Sequence, residues 1–127
     1  MNTVELLNTT SIKPIYATID LAEFNPAYTG QIRVRVNLTK AMKREMNAIQ
    51  SGGGDADAEA ALRLLARLIP RATDTDECLT YEELQQFMEG ADETDDVFVG
   101  WFIERAFQSV TDYFLARAAQ RHKSNTN

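Results

Sequence analysis

Asp74 and Asp76, in the run ATDTDECLTYEELQQ, carry the alternating carboxylates that open a calcium loop. Such a loop also needs a glycine at its sixth position and a bidentate glutamate at its twelfth. Counted from Asp74, those places hold Leu79 and Gln85. Cys78 stands among acids, which repel a thiolate and so oppose a nucleophilic role. His122 is the sole histidine, which leaves neither a histidine-based metal set nor a Ser-His pair to build. Gly52-Gly53-Gly54 has the flexibility of a phosphate loop, but no Gly-Lys-Ser/Thr follows it. The residues that do follow are acids, which repel phosphate. The neighbouring carboxylates Asp95 and Asp96 fall where a helix begins, and capping accounts for them. These residues therefore predict no catalytic set, no metal and no cofactor.

The bulk properties narrow the field further. The chain has 127 residues, enough for one domain with one modest core. Its net charge of −6 argues against nucleic acid as a partner, because Lys and Arg supply most of the affinity for phosphates. One Cys cannot form an internal disulfide and fits a reducing compartment. The opening MNTVELLNTTS lacks a basic stretch followed by an apolar run, so no signal peptide is expected. No apolar run approaches the length of a membrane span. Charge is unevenly spread. Residues 74 to 96 hold Asp74, Asp76, Glu77, Glu82, Glu83, Glu89, Asp92, Glu93, Asp95 and Asp96, with no Lys or Arg. That block reads as a solvated connection and helix face, or as a docking surface for a basic partner segment.

The elements follow from periodicity. KPIYATID and QIRVRVN alternate, with Ile15, Ala17 and Ile19 on one face of the first and Ile32, Val34 and Val36 on one face of the second. Arg33 and Arg35 share the other face, either solvated or, with Lys40, Lys43 and Arg44, a small basic patch. The link LAEFNPAYTG is too long for a tight hairpin, yet antiparallel pairing of the two strands is still the cheapest arrangement. Val4, Leu6 and Leu7 allow a third, edge strand. Thr39 caps a helix to about Gln50 with Met42, Met46 and Ile49 on one stripe. The three glycines end it, and Asp55 starts an Ala- and Leu-rich helix that Pro70 stops, with Leu62, Leu65, Leu68 and Ile69 on its apolar side. A polar loop over residues 71–79 follows. Thr80 to Glu83 forms a capping box, and Gly90 offers a C-terminal cap for that helix. The predicted fold is α+β: a small N-terminal antiparallel sheet of two or three strands, then about four helices, helix-dominated. A single domain over 1–127 is expected, with 1–12 as a leader and 121–127 as a flexible tail.

The stretch from Asp95 to Gln120 dominates this plan. It holds the sole Trp and four of the six Phe. At helical spacing Phe98, Phe102, Ala106, Val110, Tyr113 and Phe114 form one stripe, with Val97, Trp101, Phe107 and Leu115 at its sides. That arc is wider than a surface helix needs. Either the helix is buried at the centre of its own domain, or one side packs at home and the other on a second chain. Large aromatics are the residues that anchor such interfaces. Phe98, Trp101, Phe102, Tyr113 and Phe114 are therefore the candidate partner-binding residues, with part of one or other aromatic turn expected to stay exposed.

A strand-rich start, IYATIDLAEFNPAYTGQIRVRVNLT, passes through Tyr28-Thr29-Gly30 into a Met-containing basic helix. Leu79-Thr80-Tyr81-Glu82-Glu83-Leu84 then precedes the last helices. This order resembles the tail assembly chaperones of long-tailed bacteriophages, over roughly residues 15 to 118. It departs from many of them in having no Trp just before the L-T-x-E segment. The resemblance implies a non-enzymatic role in the host cytoplasm. Such a chaperone binds the tape-measure protein, engages the tail tube protein, and forms homo-oligomers in some cases. Two other readings fit the same chain: a structural virion component, such as a head-tail connector or tail-completion protein, and a small regulatory protein-binding domain.

Overall fold

The computed structural model describes residues 12–52, 55–92 and 96–125. The possible edge strand at Val4, Leu6 and Leu7, most of the expected leader, and Asp95 lie outside them.

Two strands pair antiparallel: β1 (Tyr16–Asp20) and β2 (Gln31–Arg35). Opposite residues share a face, so Ala17 and Ile19 lie with Val34 and Ile32 against the core. Tyr16, Thr18, Arg33 and Arg35 line the other face, where the Arg33 guanidinium lies 4.8 Å from the Tyr16 ring centroid. Ile15 departs from the expected alternation. It precedes β1 and is 46% exposed. The link closes as a wide hairpin: Leu21 N–H donates to Gly30 O (3.1 Å), and Gly30 supplies the positive φ of 104° at the turn back. Within it lies a 3-10 turn, Leu21–Glu23, whose Ala22 N–H donates to the Asp20 carboxylate (3.1 Å).

One residue extends this ladder without backbone. Asn37 is 8% exposed. Its amide oxygen accepts from Ile15 N–H (2.8 Å), and its amide nitrogen donates to Lys13 O (2.7 Å). The side chain thus presents a peptide-like donor and acceptor to the segment entering β1, one residue beyond the backbone bond from Val36 N–H to Ile15 O (2.9 Å).

Four helices follow: α1 (Lys40–Ser51), α2 (Asp55–Ala66), α3 (Tyr81–Ala91) and α4 (Val97–Asn125). Thr39 caps α1 as expected, its hydroxyl accepting from Met42 N–H. Helix α2 stops at Ala66, before the expected Ile69, because the next carbonyls have other donors. Leu68 O accepts from Arg35 N–H of β2 (2.7 Å) and Ile69 O from Leu79 N–H (3.0 Å). The loop over 71–79 is therefore pinned at its base by an antiparallel bridge between Pro70 and Cys78. The expected cap at Gly90 is not used either: α3 runs on to Ala91 and its C-cap is Asp92. Helix α4 begins at Val97 and continues to Asn125, past the expected end at Gln120 and into the expected tail.

The capping box of α3 is complete, with Thr80 and Glu83 each accepting from the other's backbone N–H. Glu83 also receives Arg71, at 2.8 and 2.9 Å. The Thr80 N–H, and after it the Arg71 guanidinium, hold the Glu83 carboxyl below its ordinary range, while Arg105 does the same for Glu23. A carboxylate with a lowered folded pKa adds stability above its unfolded value of about 4.3 and loses it as pH falls through the lower folded value. Thermal melts should therefore show Tm falling as the pH drops below about 4. Glu83→Gln should lower Tm at neutral pH and flatten part of that acid fall. A variant whose acid profile matches the parent would remove Glu83 from the account.

The core lies where β1, β2 and all four helices meet. Ile19, Val34, Met46, Leu64, Leu65, Leu68, Leu84, Phe98, Phe102 and Val110 are its largest fully buried side chains. Helix α4 contacts both strands as well as α2 and α3, which makes it the central element.

Candidate functional site: an acid-rimmed groove and an exposed helix end

Helix α4 is positioned by side chains from three sides. At its start, Asp96 has a left-handed φ of 55°. The first free amides are not met from there. The Asp92 carboxylate accepts from Phe98 N–H (3.1 Å) and Val99 N–H (3.0 Å), which places its negative charge at the positive end of the helix. Further along, Arg105 reaches Glu23 (2.9 Å) in the 3-10 turn and Ser109 (2.6 Å) in its own next turn. Lys43 of α1 sits over the Phe114 ring at 4.6 Å.

The predicted aromatic set divides under this arrangement. Phe98 and Phe102 are 0% exposed and offer no surface to a partner, which corrects the expectation for both. The reason is a cover absent from the helix pattern itself. Tyr28 stacks on Phe98 at 5.3 Å, and Phe24 meets it edge-on at 5.4 Å. Both come from the link between the strands, where the spacing F-N-P-A-Y is the sequence signal for this cover. Trp101 is half-buried against Phe24, 5.4 Å between rings. Tyr113 and Phe114 are half-buried as well. The large apolar side chains that α4 exposes among the described residues are Val97 (51%) and Leu115 (63%).

A groove of about 620 Å³ runs between α2, α3 and the first half of α4. Leu62, Met88, Val99 and Ile103 give it apolar walls, and Glu89, Asp92 and Asp96 stand along it. Among the described residues no Lys or Arg lines it. Gly100 lies in its wall, and a Cβ built there meets no atom within 4 Å. Gly100→Ala should therefore fit without strain and stabilise the chain by about 0.5–1 kcal/mol, since an interior helix glycine costs that much relative to alanine. Urea unfolding measures it, and a loss of stability would contradict the open space above Gly100.

Among the described residues no group of three or more His, Cys, Asp or Glu is arranged to hold a metal ion, and no buried polar side-chain atom lacks a partner. The Tyr16 hydroxyl donates to Asp76 (3.0 Å), and burial, then that bond, raises its pKa. The predicted basic patch is partly committed within the fold: Arg33 also donates to Ala72 O (3.1 Å), and Arg35 to Asn37 O (3.1 Å). Among the described residues no helix is long and apolar enough to cross a membrane.

The second feature is the far end of α4. From Leu115 to Gln120 every residue is exposed. By sequence the run from Tyr113 to Asn125 contains no acid and holds Arg117, Arg121 and Lys123. One helix thus joins an acid-rimmed groove to a basic, uncovered end.

No protein-family model matches the chain, and neither a curated protein nor a solved structure matches it.

Proposed function

We propose that this chain is a non-enzymatic assembly chaperone that holds apolar or basic helical segments of a partner, as the phage tail assembly chaperones it resembles do with the tape-measure protein. The observation that carries this reading is the groove between α2, α3 and α4. It has the apolar walls to take one stripe of an amphipathic helix and carboxylates to meet Lys and Arg beside that stripe. Trp101 and Val97 add apolar surface on the same helix. The chaperone acts in the host cytoplasm, keeps a long helical client soluble until the tail tube protein polymerises around it, and needs no cofactor.

Co-expression with the tape-measure protein of the same genome tests the proposal. The client should shift to the soluble fraction and co-purify with this chain. Ile103→Lys, which puts a cation on the groove wall, should reduce that recovery. An insoluble client and no complex would end the reading. A second reading, a structural virion component, is favoured by the exposed stretch of α4 from Leu115 to Gln120, which leaves helix surface for a neighbouring subunit. Finding the chain at fixed stoichiometry in purified particles would support that alternative and count against a chaperone.

A further inference from the structure

We infer that the groove is also a self-docking site, and that its occupant is the exposed α4 end of a second copy of this chain. Three observations meet here. The first is charge. The groove carries Glu89, Asp92 and Asp96 with no cation among its described lining residues, while by sequence the segment from Tyr113 to Asn125 carries Arg117, Arg121 and Lys123 with no acid. The second is shape. Leu115, Ala118 and Ala119 fall at i, i+3 and i+4 on α4, one apolar face of a leucine and two alanines, and all three are exposed. The groove has a glycine in its wall where such a narrow helix face can approach closely.

The third is connectivity. Gly100 and Arg117 lie on the same continuous helix, about 26 Å apart at 1.5 Å rise per residue. A straight helix cannot fold its own end back into the groove beside its start. The contact therefore forms between copies, and it joins two different surfaces. Such a head-to-tail contact makes a ring if the rotation closes and an open filament if it does not. Self-association of this kind does not depend on a tape-measure partner. A client helix that enters the groove competes with it and releases the chain from its neighbours.

Two full-length variants separate the two halves of the contact. Gly100→Leu fills the groove at a position with open space above it. Leu115→Glu combined with Arg117→Glu turns the exposed end acidic. Both changes fall on exposed positions, so circular dichroism should match the parent. In sedimentation at low salt the parent should show a mass that rises with concentration, and added salt should reduce the rise. Each variant alone should associate more than about tenfold more weakly, since like charges across an interface and a filled groove both oppose docking. Mixed in equal amounts, the two variants should form one-to-one pairs and stop there, because one intact groove and one intact end remain. A parent that stays monomeric at low salt, variants that associate like the parent, or a mixture that forms no pairs would each overturn the inference. Binding of an unrelated basic amphipathic peptide by a monomeric parent would overturn it too, and assign the groove to foreign helices alone.

Discussion

Replacing Phe98 by alanine should lower the unfolding free energy by about 3–5 kcal/mol, the usual cost of emptying a fully buried aromatic site. The position allows little relief. Its ring is 0% exposed and lies within 6.2 Å, centroid to centroid, of Phe24, Tyr28, Phe87, Trp101 and Phe102. Those neighbours come from the strand link, from α3 and from α4 itself, so no single element can move in to fill the gap. Against a typical total of about 5–15 kcal/mol, the loss removes a large share of the fold's margin. Equilibrium urea unfolding measures it. Leu115→Ala is the control and should change stability by less than about 0.5 kcal/mol, because that side chain is 63% exposed. Similar losses at the two positions would refute the placement of Phe98 at the centre. The prediction also governs how binding data are read: a Phe98 variant that fails to hold a client has lost its fold rather than a contact.

The second large effect is expected at Asn37. Replacing it with alanine leaves Ile15 N–H and Lys13 O without their side-chain partners, and takes Oδ1 away from Arg35 as well. A stranded, partly buried donor or acceptor costs about 1–3 kcal/mol. With two backbone groups affected, Asn37→Ala should lose about 2–3 kcal/mol. The damage should be local, with amides around Ile15 exchanging faster than those in α4. Asn37→Asp keeps the acceptor for Ile15 N–H and sets a carboxylate against Lys13 O, so it should not restore stability. An alanine variant that melts with the parent would mean that water replaces all three bonds without cost.

These two positions mark what the sequence makes legible. Thr39 and the Thr80–Glu83 pair were readable because capping chemistry spans three residues and needs nothing from elsewhere. The two strands were readable from the alternation of Ala17, Ile19, Ile32 and Val34. The end of α2 was not, because it is decided by Arg35 and Leu79, which claim the carbonyls of Leu68 and Ile69 from across the fold. The end of α3 lies beyond Gly90 for a related reason: Asp92 terminates that helix and at the same time serves the amides of Phe98 and Val99. Periodicity identified the aromatic stripe of α4, yet it carries no information about which part finds a cover. Phe98 is closed off by Phe24 and Tyr28, and Phe102 is buried beside it, while the turns near Leu115 have no such lid among the described residues. The acidic block was visible as charge alone. That part of it stands along an apolar groove depends on the packing of α2, α3 and α4.

The seating of Phe98 under Phe24 and Tyr28 also sets an order of events during synthesis. The hairpin's ring contacts, and the Arg105 to Glu23 pair 82 residues apart, exist only once α4 has been made. Until then the nascent chain carries a two-stranded sheet whose apolar face lacks its central helix, and an isolated hairpin is marginal in water. Long loops must close before those contacts can form. Folding of the described domain is therefore a late event, in which β1 waits for α4. Any ribosome that stalls before Val97 leaves a product with its aromatic centre missing.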